Sequence, residues 1–144
     1  MNDEKQSEER RLDEDAKQAV EEARAHLSKQ YAAFGIEPEV HVVEVCGLVA
    51  VCLPWSLQKR NLALRQVSRD STAADLAHLN ESRVRDTLFW IRGQQADGPG
   101  GAVKHIRDLA NLGGRYMNIM DAIAEACGEI EKGAAGGKAE GKKL

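Results

Sequence analysis

Three cysteines and four histidines are the residues of this 144-residue chain whose types best fit metal-binding or nucleophilic chemistry. Two of the cysteines lie in the apolar segment "EVHVVEVCGLVAVCLPW", Glu39 to Trp55. A turn at Cys46-Gly47 places His41 opposite Cys52, and such a pair can begin a zinc site or an activated thiol. Zinc needs four ligands, or three and a water, and no second His/Cys pair lies near in sequence. We therefore predict no metal and no cofactor, with His41 either satisfied internally or exposed at an edge.

Other catalytic patterns are missing from the sequence. It has no GxxxxGK[ST], GxGxxG or GxSxG motif, and "GPGG" at Gly98 to Gly101 lacks the Lys-Ser/Thr of a phosphate loop. The remaining histidines show neither HxxxH nor HExxH spacing. Carboxylates are frequent in "ERRLDEDAKQAVEE", but they alternate with basic residues on a helix expected to be solvated, and nothing in the sequence supplies the burial that acid-base catalysis would need. The sequence predicts a protein that is not an enzyme.

Length and cysteine usage limit the class of protein further. One domain's core is what 144 residues can bury. The three cysteines, without CxxC spacing, do not fit a secreted disulfide framework. The start "MNDEKQSEERRLDED" lacks signal-peptide character, and no apolar run reaches the roughly 18 residues of a membrane span. We expect a soluble intracellular protein with no membrane contact.

Hydrophobic periodicity predicts an α+β, mainly α fold of four to five helices around one short antiparallel β-hairpin. The predicted organisation is a frayed acidic N-terminus at 1–11, one helical domain at 12–131, and a disordered, flexible Gly/Lys/Ala tail at 132–144. Gly35 is predicted to end the first helix, and the hairpin is predicted at about 39–53. Further helices are predicted at 56–67, at 72–91 with Thr72 and Asp75 as a capping box, and at 102–131 with a break at Gly113-Gly114.

The predicted hairpin is apolar on both faces. Pairing Val45 with Leu48 puts His41, Val43 and Cys52 on one face and Val42 and Val51 on the other. A lone hairpin is marginal in water, so both faces and both edges require cover. Two solutions stay open: the first and last helices enclose the hairpin, or a partner protein or second copy covers what they leave. The predicted partner-binding residues are Val40, Val42, Val49, Val51, Leu53, Trp55, Met117 and Met120.

The order of these segments resembles that of small tail assembly chaperones of tailed bacteriophages. The likeness spans roughly residues 20 to 95 and comprises an acidic helix ending in "YAAFG", the hairpin, the proline-led helix "PWSLQKRNLAL", and "TLFWIRG". It implies a non-enzymatic protein of the host cytoplasm that keeps an aggregation-prone, helical tape measure protein soluble and helps tail-tube subunits to gather on it. It also implies a longer form made by ribosomal frameshifting, for which the codons of "GKKL" at Gly141 to Leu144 can supply a slippery run.

A basic middle segment supports a second hypothesis. Its predicted charged-contact residues are Lys59, Arg60, Arg65 and Arg69, followed by arginines as far as residue 92. Together with Trp55 they could bind a nucleic-acid backbone and stack a base, as in a small regulator or a phage-encoded inhibitor. Acidic residues are interleaved with them and the net charge of the chain is -3, which favours a protein surface over a nucleic-acid site.

Overall fold

The computed structural model describes the backbone of residues 2–67, 72–91, 94–95 and 101–141, and the side chains of residues 14–67, 72, 74–91 and 103–133. Over these residues the chain forms five α-helices and a small antiparallel sheet, which confirms the predicted fold class. The elements are α1 (Asn2–Ala32), β1 (His41–Val45), β2 (Leu48–Cys52), α2 (Leu57–Leu64), α3 (Ala73–Thr87), β3 (Leu88–Ile91), β4 (Gln94–Gln95), α4 (Gly101–Ala110), a 3₁₀ turn (Gly114–Tyr116) and α5 (Ile119–Gly141).

The hairpin forms in the predicted register. Val45 pairs with Leu48, and His41 pairs with Cys52 at the other end. Both turn residues have positive φ, 53° at Cys46 and 79° at Gly47. This is the backbone twist that a two-residue turn needs to match the twist of its strands.

Residues 88 to 91 form strand β3, so the prediction that a helix continues to Ile91 is wrong. α3 ends at Thr87, and Val51 of β2 pairs with Trp90 of β3. Large and branched side chains fit a half-buried sheet well, so pairing with β2 outweighs the local helical pattern. Gln94 and Gln95, predicted as loop, add the two residues of β4. Because the strand order is β1-β2-β3-β4, β2 is central and β1 keeps a free edge among the described strands.

Helices cover both faces of this sheet. On one face, Val43 and Cys52 pack with Ile106 of α4 and Ile123 of α5 in the larger core cluster. On the other face, the smaller cluster unites the sheet with α1, through Ala19, Ala23, Val51 and Trp90. The sequence left open whether the first and last helices enclose the hairpin or a partner covers it. At the central strand, the structure shows enclosure by the helices.

Local signals set most helix ends. At the start of α2, the Ser56 side chain accepts a hydrogen bond from the backbone N–H of Lys59 at 3.2 Å. The helix ends at Leu64, three residues before its predicted end. The predicted capping box of Thr72 and Asp75 is present. Gly35 follows α1 with a φ of 67°, and Gly113 and Gly114 separate α4 from α5, as predicted.

The two ends of the chain are helical where the structure describes them. α1 begins at Asn2, within the segment predicted to be frayed, and α5 runs to Gly141, ten residues beyond the predicted end of the last helix. Side chains at 1–13 and from 134 onward lie outside the described residues, so the frayed start and the disordered tail stay predictions. Among the described residues, no helix combines the length and the apolar character that crossing a membrane requires.

Candidate functional site

The predicted contact residues of the hairpin lie on one face, but α1 covers most of them. Val51 is fully buried against α1, and Val40, Val49 and Leu53 are partly buried at the border of the same cluster. Val42 remains 49% exposed because, on this face of the sheet, α1 packs mainly over β2 and β3. The structure thus assigns Val51 to the core of the monomer, and Val42 is the hairpin residue best placed to contact a partner.

Exposed apolar side chains lie in β1 and in the segment that precedes it. Phe34 and Ile36, in the segment between α1 and β1, are exposed, as is Val42 within the strand. We call these three side chains, with the backbone groups of β1 that face away from β2, the β1 edge surface. Sequence reasoning found Val42 but missed Phe34 and Ile36. The signal in the sequence was their position: both residues follow the end of α1, so no further helical turn can bury their side chains.

The two methionines predicted to contact a partner differ in accessibility. Met117 is exposed after the 3₁₀ turn, whereas Met120 in the first turn of α5 is partly buried against the larger core cluster. Met120 also lines a shallow surface groove between α3 and α5, with Ala77, His78 and Asp121 among its other walls. Met117 therefore fits the predicted role of adaptable apolar surface better than Met120 does.

Trp55 is held in place by the protein itself. Its Nε1 donates a hydrogen bond to Oδ2 of Asp86 at 3.0 Å, and the guanidinium carbon of Arg83 lies 5.2 Å from the centre of its ring. Arg83 also pairs with Glu131, with Nη2 and Oε1 2.6 Å apart. Trp55 is therefore half-buried and packs against a buried cation, so the part of its ring under Arg83 is not free for stacking a base or contacting a client.

The basic segment divides into two groups. Lys59, Arg60 and Arg65 are exposed on α2 or just after it, and Arg69 lies outside the described residues. By contrast, Arg83 is neutralised by Glu131, and Arg107 of α4 pairs with Glu81. Arg85 of α3 is also exposed, so among the described residues of this segment the exposed basic side chains lie on α2, just after it, and at Arg85.

A second cluster, which sequence reasoning did not find, lies in the core. Cys127 of α5 joins His41 and Cys52, and all three are at most 2% exposed. Nε2 of His41 lies 3.1 Å from Oε2 of Glu39. The spacing of Cys127 from Ile123 and Ile130 placed it on the inner stripe of its helix, but no sequence signal fixed which strand that stripe would meet. Among the described residues, no group of three or more His, Cys, Asp and Glu side chains has an arrangement that could hold a metal ion.

The two buried thiols differ in acidity. Hydrogen bonding to Cys52 lowers the pKa of Cys127 to about 5 despite burial, and His41 and Arg83 act in the same direction. The same contact with Cys127, reinforced by burial, raises the pKa of Cys52 well above its ordinary value. The neighbouring Cys127 sulfur also raises the pKa of His41, against the opposing effect of burial. The cluster therefore favours one thiolate, on Cys127, beside a protonated Cys52.

Fold and surface together define a small α+β protein whose sheet is enclosed at its centre and, among the described strands, has a free edge at β1. Comparison of the chain with protein-family models, with curated proteins and with solved structures gave no match.

Proposed function

We propose that this protein is a non-enzymatic assembly chaperone that binds an apolar segment of a client protein along the β1 edge surface. The observation that carries the proposal is the position of β1. It has a strand neighbour on one side only among the described strands, and exposed apolar side chains lie within it and just before it.

The backbone of β1 supplies the first part of the interaction. An edge strand presents unpaired N–H and C=O groups to which an extended segment of another protein can add as a further strand. β1 is five residues long, His41–Val45, so a client strand of similar length would extend the sheet. Hydrogen bonds of this kind depend little on client sequence, which suits a chaperone.

Apolar contact supplies the second part. Burying a large aliphatic or aromatic side chain is worth about 1.5–3 kcal/mol, so Phe34, Ile36 and Val42 offer several kcal/mol before the cost of association. That cost consumes much of the gain. The expected complex is reversible, as a chaperone that must release its client requires.

Charge near the edge indicates which segments would bind. Glu37, Glu39 and Glu44 are all exposed in or just before β1, and no Lys or Arg lies between Phe34 and Val45. A client segment that alternates apolar residues with Lys or Arg would complement this surface. Strongly acidic segments would be repelled.

The identity of the client is proposed from the resemblance to phage tail assembly chaperones. In this proposal the client is the tape measure protein, a tail-tube subunit is a second partner, and both meet the chaperone in the host cytoplasm. Two copies of the chaperone can also pair through their β1 edges, which would make self-association compete with client binding.

Genomic context tests the phage assignment separately from the binding surface. The gene is expected to precede a very long tape measure gene and to carry a slippery heptamer near its stop codon. A neighbourhood without tail genes would contradict the phage assignment, while protein binding at the β1 edge would still be open to test.

Co-expression with the product of that long neighbouring gene tests the chaperone role. We expect the wild-type chain to raise the soluble fraction of the client and to co-purify with it, and Val42→Glu to reduce both. Leu62→Glu is the matched control, because Leu62 is exposed to a similar degree but lies on α2. Equal behaviour of the two variants, or an insoluble client with the wild-type chain, would contradict the proposal.

Exposed basic residues on α2 keep nucleic-acid binding as a second candidate. Lys59 and Arg60 are exposed on this helix, and Arg65 follows it. Binding through them would weaken steeply with salt and with Arg60→Glu plus Arg65→Glu. Absence of DNA or RNA binding at low salt would remove this candidate.

A further inference from the structure

We propose that Cys127 and Cys52 form a peroxide-reactive dithiol site, in which the Cys127 thiolate attacks the peroxide and Cys52 then closes a disulfide between β2 and α5. The proposal does not depend on the β1 edge surface or on the chaperone role. It concerns a buried cluster of two thiols, an imidazole and a guanidinium. Hydrophobic packing alone gives no reason to bring these groups together.

The fold brings the groups together from four elements. Cys52 ends β2 directly opposite His41 of β1, and Cys127 reaches the same core cluster from α5. Arg83 of α3 lies close enough to influence both thiols. Because the two thiols belong to the same buried cluster, lie on different elements and are both free, a disulfide between them would cross-link the sheet to the last helix.

Unpartnered donors support a negative charge in this cluster. Nε of Arg83 is a buried donor, and Nδ1 of His41 becomes one when the imidazole is protonated; within the described part of the chain neither has a partner of normal hydrogen-bond geometry. A buried donor without an acceptor is costly, and a thiolate is an acceptor that carries the charge opposite to that of the guanidinium. The arrangement therefore stabilises the nucleophilic form of Cys127, in line with its lowered pKa.

The reaction balances with hydrogen peroxide as the oxidant. The Cys127 thiolate attacks one peroxide oxygen, the O–O bond breaks, and the leaving hydroxide takes up a proton to become water, which leaves a sulfenic acid on Cys127. Cys52 then loses its proton and attacks that sulfur, and the sulfenic oxygen leaves as a second water. In sum, two thiols and one peroxide give one disulfide and two waters.

Burial sets the substrate class. Both thiols are nearly inaccessible, whereas Cys46 in the hairpin turn is partly exposed. A small neutral peroxide can reach the cluster through a local opening of the fold, but a bulky aromatic disulfide reagent cannot do so while the fold persists. The site should consequently react with hydrogen peroxide and resist bulky thiol reagents, the reverse of an ordinary exposed cysteine.

The test uses the full chain carrying Cys46→Ser, so that Cys52 and Cys127 are the remaining cysteines. The folded protein is treated with hydrogen peroxide, then unfolded, alkylated and weighed by mass spectrometry, with circular dichroism to show that the fold persists during treatment. We expect a mass loss of two hydrogens, no alkylation, and recovery of both thiols after reduction. A second sample treated with a bulky aromatic disulfide in place of peroxide should remain unmodified until it is unfolded.

Two variants separate the roles of the thiols. Adding Cys52→Ser should stop the reaction at a sulfenic acid on Cys127 that dimedone traps, and adding Cys127→Ser should slow peroxide oxidation about tenfold or more, since the thiolate is the reactive form. The proposal is overturned if both thiols of the Cys46→Ser protein remain alkylatable after peroxide treatment of the folded state. It is also overturned if oxidation requires unfolding or begins at Cys52.

Discussion

Val42 and Val51 lie directly opposite each other in the hairpin, yet Val42 is 49% exposed and Val51 is completely buried. The difference comes from α1, which packs Ala19 and Ala23 against the cluster containing Val51 and Trp90. One helix is wide enough to cover the two inner strands but not the edge strand. The sheet is thereby covered at its centre, and β1 has a strand neighbour on one side only among the described strands.

Truncation of the two valines should therefore have unequal effects. We expect Val51→Ala to lower the free energy of unfolding by about 2 kcal/mol, because it leaves a cavity in the core. Val42→Ala should change it by less than about 0.5 kcal/mol, as at other exposed sites. Urea unfolding followed by circular dichroism measures both. Equal losses would mean that α1 does not cover the sheet in this way.

The cation over Trp55 should contribute to stability. Only 13% of the Arg83 side chain is exposed, and Arg83→Ala would leave Glu131 without its partner and Trp55 without its cover. We expect a loss of roughly 2–4 kcal/mol in the free energy of unfolding. Arg107→Ala is the control, since Arg107 also pairs with a carboxylate but is 62% exposed; its loss should stay under about 1 kcal/mol. Similar losses for the two variants would argue against a buried role for Arg83.

Glycine-to-alanine substitutions should have opposite signs at two positions. Gly47 has a φ of 79°, where a Cβ is strained, so Gly47→Ala should destabilise the hairpin by about 1 kcal/mol. Gly133 lies within α5 with open space where the Cβ of an alanine would lie, so Gly133→Ala should stabilise by up to about 1 kcal/mol. Thermal unfolding of the two variants measures both changes in stability. A stabilising Gly47→Ala would contradict the observed turn.

Thiolate absorbance should reveal the acidity of Cys127. In the Cys46→Ser protein, one thiolate should be present at neutral pH and disappear as the pH falls through about 5, and Cys127→Ser should abolish it. Because the folded pKa is below that of the unfolded chain, the thiolate adds stability that grows as the pH rises from about 5 and is lost as the pH falls through it. His41, whose pKa is raised, acts oppositely and loses its contribution as the pH rises. A midpoint at the ordinary thiol value of 9.0 would contradict the proposed environment.

Sequence periodicity predicted the elements whose signals are local. The hairpin register follows from one turn and alternating apolar residues, and the capping box at Thr72 marks the start of α3. β3 could not be predicted in the same way. Leu88 to Ile91 continue a helical pattern, and what makes them a strand is hydrogen bonding to β2, more than thirty residues earlier.

The parts of the candidate sites that lie within a single segment could be predicted from the sequence. Alternation identified Val42 and its face, but the covering of Val51 depends on the path of α1 across the sheet. Likewise, the pairing of His41 with Cys52 was predicted correctly. Cys127 joins them only because α5 packs on β1 and contributes to the same core cluster. Contacts between distant elements carry no signal in the spacing of a single segment.

Hydrogen exchange of the backbone amides of β1 tests client binding most directly. The complex of this chain with the product of the long neighbouring gene is compared with the free protein, residue by residue. If a client strand adds to the edge, the alternate amides of His41–Val45 that face away from β2 should exchange rapidly in the free protein and become strongly protected in the complex. Unchanged exchange along β1, with protection confined to α2 or to the region of Met117, would contradict binding at the β1 edge surface.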